Sequence, residues 1–125
     1  MPTPARWQAA IIAAGFSVEL YQDFDVESHT GFLPTPVNGQ MSGFEYYAAP
    51  VNADVAHELR LVPENNFAVL FACGRRPLEH VSAFAAASVL ASVSGGLLVD
   101  PQSDASIASS DAVAWAKMQI AQILG

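Results

Sequence analysis

Pro77-Leu78-Glu79-His80-Val81-Ser82-Ala83-Phe84-Ala85-Ala86-Ala87-Ser88-Val89-Leu90-Ala91-Ser92-Val93-Ser94-Gly95-Gly96-Leu97-Leu98-Val99-Asp100-Pro101 decides how this chain folds. No charged residue lies between Val81 and Val99, and small side chains dominate. Pro77 suits a first helical turn, where its missing N–H costs nothing, and Glu79 complements the positive end of the helix dipole. Gly95-Gly96 should end the helix, and Leu97-Leu98-Val99 should follow as a short buried strand. A helix apolar nearly all round must be covered. A lipid span is the competing account, because the uncharged run approaches ~20 residues. Four serines, the double glycine and the following strand favour a helix buried in protein instead.

Outward from this core, 125 residues predict a single domain over 1–125 without an internal linker. A hydrophobic content of 52% against 14% charged residues excludes a disordered chain. The lone Cys73 has no internal disulfide partner, and the opening Trp7-Gln8 pattern reads as an amphipathic helix rather than a leader, so a cytoplasmic protein is expected.

The net charge is −7, and it is unevenly placed. Residues 1–59 hold seven acids and one base, Arg6; residues 60–125 hold five acids and four bases. Such a profile repels phosphate backbones and anionic membranes and attracts basic protein surfaces. Solubility alone would also account for it.

Thr3-Pro4 predicts a capped helix start, with Trp7, Ala10, Ile11 and Ala14 on one face and Gly15 at the stop. Phe16 to Leu20 alternates as a strand with Phe16, Val18 and Leu20 inward. If Tyr21 to Glu27 is extended, Asp23, Asp25 and Glu27 share a face. Segment 28–43, with two prolines, three glycines and an Asn38-Gly39 turn signal, reads as a long loop. Gly43 to Val51 is a strand placing Phe44, Tyr46 and Ala48 opposite Glu45 and Tyr47. A short helix from Ala53 to about Leu61 and a Pro63–Asn66 turn follow. Phe67 to Cys73, continuously apolar, fits a central strand buried on both faces. A last helix begins near Ser109-Ser110-Asp111, with Val113, Ala116, Ile120 and Ile123 inward. The sum is an α+β sandwich: one mostly antiparallel sheet of four or five strands packed against helices.

Chemical motifs are sparse. His29, His57 and His80 are too scattered for a metal pattern, and no CxxC is possible. Asp23-x-Asp25-x-Glu27 opens like a calcium loop, but its sixth position is Ser28 and its twelfth Pro34. Gly95-Gly96 follows a helix instead of opening one, so it is no phosphate cradle. Cys73 sits in an apolar run and reads as core. Arg75-Arg76 is too small a basic patch for nucleic acid. Glu45, an acid within an aromatic strand beside Tyr47, suggests either a solvated face or a partner-facing anchor. No catalytic residue, cofactor or metal is expected.

Trp7, Gly31-Phe32-Leu33-Pro34, Gly43-Phe44-Glu45-Tyr46-Tyr47 and the run Gly95 to Pro101 together carry a resemblance. The chain resembles small bacterial immunity proteins encoded beside polymorphic or type VI-secreted toxins. The resemblance implies a non-enzymatic cytosolic inhibitor, monomeric or homodimeric, that binds a cognate toxin, a basic effector domain, and blocks its active site. On that reading Glu19, Asp23, Asp25, Glu27, Glu45, Tyr46 and Tyr47 are the contacts, and loop 28–43 is the adaptable rim. The alternative is an acidic secretion chaperone that binds an effector segment; it calls for an exposed apolar patch and a stable homodimer. A small-molecule binder or enzyme would need a deep polar pocket with convergent titratable groups.

Overall fold

The structure, a computed structural model, describes residues 2–50, 67–100 and 105–124. The helix and turn expected over 53–66 lie outside the described residues.

Helix α1 (Pro4–Ala13) starts as its sequence dictates: Thr3 caps it by accepting from the Arg6 N–H at 3.2 Å, with Pro4 in the first turn. Gly15, at φ +93°, turns the chain out of it. Three strands follow, β1 (Thr30–Pro34), β2 (Gly43–Pro50) and β3 (Phe67–Ala72), forming an antiparallel sheet in the order β1-β2-β3. Helix α2 (Pro77–Ser94) ends at Gly95 in the left-handed conformation, φ +69°. A ribbon of β4 (Leu98–Asp100) and β5 (Ala105–Ile107) then leads to helix α3 (Ala112–Leu124).

Helix α2 packs against α1, β2 and α3. Its residues Val81, Ala85, Ala86 and Val89 are buried with Trp7, Ile11, Leu33, Phe44 and Tyr46 in the main core. Trp7 locks the layers together: its indole N–H donates to the Ala86 carbonyl at 3.0 Å, while its ring contacts Phe24, Tyr46 and Phe71. The buried serines are satisfied within α2, Ser82 bonding back to Glu79 O and Ser88 to Ala85 O. Among the described residues no helix is long and apolar enough to cross a membrane. On α3, Ala116 is buried and Val113, Ile120 and Ile123 pack against the core, as expected; Ala112 is buried as well, and Trp115 adds an edge contact with Phe84.

The α+β class stands, but the described strands make a three-stranded sheet plus a two-stranded ribbon rather than one sheet of four or five. Three local departures explain it. Residues 16–20 form only a single bridge, Val18 to Val37, because their backbone groups are taken elsewhere. The Gln8 side chain bonds both Val18 O and Leu20 N, while Glu19 N to Pro36 O and Asn38 N to Ser17 O make the one bridge. Val18 and Leu20 are nevertheless buried, as the alternation indicated. Within the expected loop 28–43, Thr30–Pro34 is strand β1; proline at the end of an edge strand costs little. The Asn38-Gly39 signal holds, with φ of +51° and +77° and paired hydrogen bonds between Val37 and Gln40. Finally, β3 is not buried on both faces: Leu70 is 57% exposed, and β3 pairs with β2 alone among the described strands. Strand β4, expected to be buried, is half-buried.

Candidate functional site

The alternation of β2 sends its neighbours to opposite sides of the sheet, and this divides the candidate residues into two surfaces. On the inner side, Tyr46 is 0% exposed and its hydroxyl donates to the Val26 carbonyl at 2.5 Å. That bond draws in the segment carrying the acids. Val26 is buried and Phe24 half-buried against the Trp7 and Tyr46 rings, so Asp23, Asp25 and Glu27 are left facing solvent.

Asp25 organises this acidic turn. Its Oδ1 accepts from the Glu27 N–H at 3.0 Å, and its carbonyl accepts from Ser28 N and His29 N at 3.3 and 2.9 Å. Residues 22–27 and Pro2, Thr3 and Pro4 line an open cleft of about 580 Å³. The start of α1 thus borders the acids, and its dipole favours their charge there. The segment is a turn rather than the extended strand the alternation allowed, yet the three carboxylates still share a surface. Burial, and behind it the Asp25 and Glu27 carboxylates, pushes the Tyr46 phenol well above its ordinary value.

Tyr46 therefore underlies this surface and is not part of it, which corrects its assignment as a direct contact. Glu19 is exposed, fixed through its backbone to Pro36.

Glu45 and Tyr47 lie on the other side of the sheet. The Tyr47 hydroxyl donates to Glu45 Oε2 at 3.2 Å, which raises the phenol's pKa. Around them stand Phe32, 56% exposed and opposite Glu45 in register, and Leu70, opposite Tyr47. Gly43 makes the position of Phe32 possible. A Cβ there would lie 2.8 Å from Phe32 Cε1 and 2.6 Å from Leu33 O, so only glycine fits beneath the ring.

A second cleft, about 340 Å³, opens at the end of this face between Phe32, Glu45, Cys73, Gly74 and Glu79. Glu79 Oε1 accepts from the Gly74 N–H at 3.1 Å. Cys73 Sγ lies 3.4 Å from His80 Nδ1. Burial first, then the Glu79 charge, holds the Cys73 thiol above its usual pKa, the opposite of what activates a nucleophile. Among the described residues, no three histidine, cysteine, aspartate or glutamate side chains converge as metal ligands.

The acids named from sequence are thus on the surface, but apart: Asp23, Asp25 and Glu27 around one cleft, Glu45 with Tyr47 across the sheet, and Glu19 lining neither cleft. Phe32 and Leu70, which the sequence places in a loop and in a buried strand, reach the surface of Glu45 and Tyr47 only through the pairing of the strands. Glu79, a helix-dipole residue by its position in the sequence, joins the second cleft in the fold. Thr30-Gly31-Phe32-Leu33 has no polar–apolar alternation, so no local signal marks Phe32 as a surface residue of a strand.

No protein-family model, curated protein or solved structure gives a significant match to the chain.

Proposed function

We propose that the protein is a non-enzymatic, cytoplasmic immunity protein that binds a cognate bacterial toxin and neutralises it by covering its active site. The observation that carries this reading is the acidic turn: Asp23, Asp25 and Glu27 are held outward, in a fixed backbone conformation, around one open cleft. A preformed set of like charges on a chain of net charge −7 attracts a basic surface and orients it before contact. Neutralisation then needs only occupancy: the inhibitor fills a basic cleft shaped for an anionic substrate, and buried apolar contacts slow its departure.

The test is co-expression with the C-terminal domain of the toxin encoded beside it, read as growth rescue and as a complex on gel filtration. Rescue by the wild-type chain, weakened when Asp23 and Glu27 are changed to lysine, is the expected result. Absence of both rescue and complex overturns the reading.

The exposed Phe32, Tyr47 and Leu70 side chains favour a second reading, a secretion chaperone that holds an extended effector segment against its sheet. A chaperone would form a stable homodimer and bind its effector without abolishing the effector's activity.

A further inference from the structure

The end of the sheet where β3 leads into α2 has the chemistry of a slot for one particular side chain. Two carboxylates, Glu45 and Glu79, line the same cleft, and each spends one oxygen on a bond within the protein: Glu45 Oε2 on the Tyr47 hydroxyl and Glu79 Oε1 on the Gly74 N–H. These bonds fix where the carboxylates stand and leave Glu45 Oε1 and Glu79 Oε2 without a hydrogen bond among the described residues. No arginine, lysine or histidine among the described residues pairs with either acid. Arg75 and Arg76, which precede Glu79 in the chain, are exposed. Phe32, more than half exposed, forms an apolar wall of the cleft, and Gly43 beneath it leaves room for the ring.

We propose that this slot receives an arginine side chain of a protein partner, with apolar side chains beside that arginine covering Tyr47 and Leu70. The proposal rests on the protein-binding reading above and assigns the contact to a different face from the acidic turn. Arginine suits the slot better than lysine for two reasons. Its planar fork offers parallel donors to two carboxylate oxygens, and its weakly hydrated face stacks on an aromatic ring. An apolar strip continues from the slot along Phe32, Tyr47 and Leu70, so the occupant is a peptide segment or protein surface rather than a free cation. The two faces then divide the work: the acidic turn steers approach, and the slot with its apolar strip sets residence time.

The test uses the whole ¹⁵N-labelled chain and a synthetic probe, acetyl-Gly-Leu-Arg-Leu-Gly-amide, with the uncharged citrulline peptide as control. The arginine peptide should give saturable shifts at the Phe32, Glu45 and Gly74 amides with millimolar affinity. The combined Glu45→Gln and Glu79→Gln variant should weaken binding about tenfold, whereas Asp111→Asn, at an exposed acid away from both surfaces, should leave it unchanged. Equal shifts with the citrulline peptide, shifts confined to residues 23–27, or no localised shift at millimolar peptide would each overturn the slot. So would a homodimer, measured by light scattering, that dissociates when Arg75 and Arg76 become glutamine, since the occupant would then be a second copy. A chain that neutralises its toxin yet ignores the peptide loses only the slot. A chain that takes the peptide but protects against no toxin loses the inhibitor reading instead.

Discussion

The Tyr46 hydroxyl reaches from the middle strand of the sheet to the carbonyl of Val26, 20 residues earlier in the chain, and ties the acidic turn to the core. Both groups are buried, so deleting the hydroxyl strands an acceptor away from water. Tyr46→Phe keeps the ring contacts with Trp7, Phe24 and Phe71 and should still destabilise the protein by about 1–3 kcal/mol in denaturant unfolding. The same tyrosine sets an alkaline limit. Its pKa is raised in the folded state, so its contribution is complete below the ordinary phenol value of 10.0 and is lost as pH rises beyond it. The wild type should therefore weaken above pH 10 more steeply than Tyr46→Phe; parallel profiles would show that the phenol is not the responsible group.

Charge at the acidic turn should act on arrival more than on departure. Asp23 and Glu27 are the cleaner positions to change, because Asp25 also caps the turn through its side chain. Converting Asp23 and Glu27 to lysine should slow association with the toxin by about tenfold at low salt and flatten its salt dependence. Stopped-flow association at two ionic strengths measures both quantities. Unchanged rate and slope would remove steering from the mechanism.

How far the sequence could be read depended on how local the deciding interaction was. Helices α1, α2 and α3 are announced by caps, glycine stops and spacing that act within a few residues, as Thr3, Gly95 and the buried pair Ala112 and Ala116 illustrate. The alternation of β2 was equally plain. What could not be read locally was pairing. Thr30–Pro34 becomes a strand because β2 is there to receive it, despite a glycine and a proline. Residues 16–20 fail to become one because Gln8, from the preceding helix, takes two of their backbone groups. The candidate site inherits both effects. The acids were visible as composition, but their division into two faces follows from β2 register and from the Tyr46–Val26 bond. The Glu45–Glu79 cleft joins residues 34 apart in the sequence, which no spacing rule reports.

Gly43 should prove intolerant even of alanine. The added Cβ meets the Phe32 ring, which can swing away, and Leu33 O, which belongs to a paired strand and cannot. Gly43→Ala is expected to cost about 1–3 kcal/mol by overpacking. Combining it with Phe32→Ala should recover only part of that loss, because the carbonyl contact remains. Thermal unfolding of the two single variants and the double variant gives the coupling. Full recovery would place all of the strain on the ring.

Cys73 provides a chemical probe of the same edge. Alkylation proceeds through the thiolate, and burial together with the Glu79 charge holds this thiol protonated above its ordinary range. The wild-type protein should therefore react with iodoacetamide at neutral pH more slowly than a free cysteine. Its rate should rise with pH about a midpoint above that of an ordinary cysteine thiol. Glu79→Gln removes the smaller of the two causes, so it should move the midpoint down part of the way and leave the contribution of burial in place. His80, whose Nδ1 stands 3.4 Å from the sulfur, supplies the opposing possibility: a proton held there would stabilise the thiolate. Fast alkylation at neutral pH, lost in His80→Ala, would show that the imidazole outweighs burial and carboxylate, and Cys73 would then have to be treated as a reactive group.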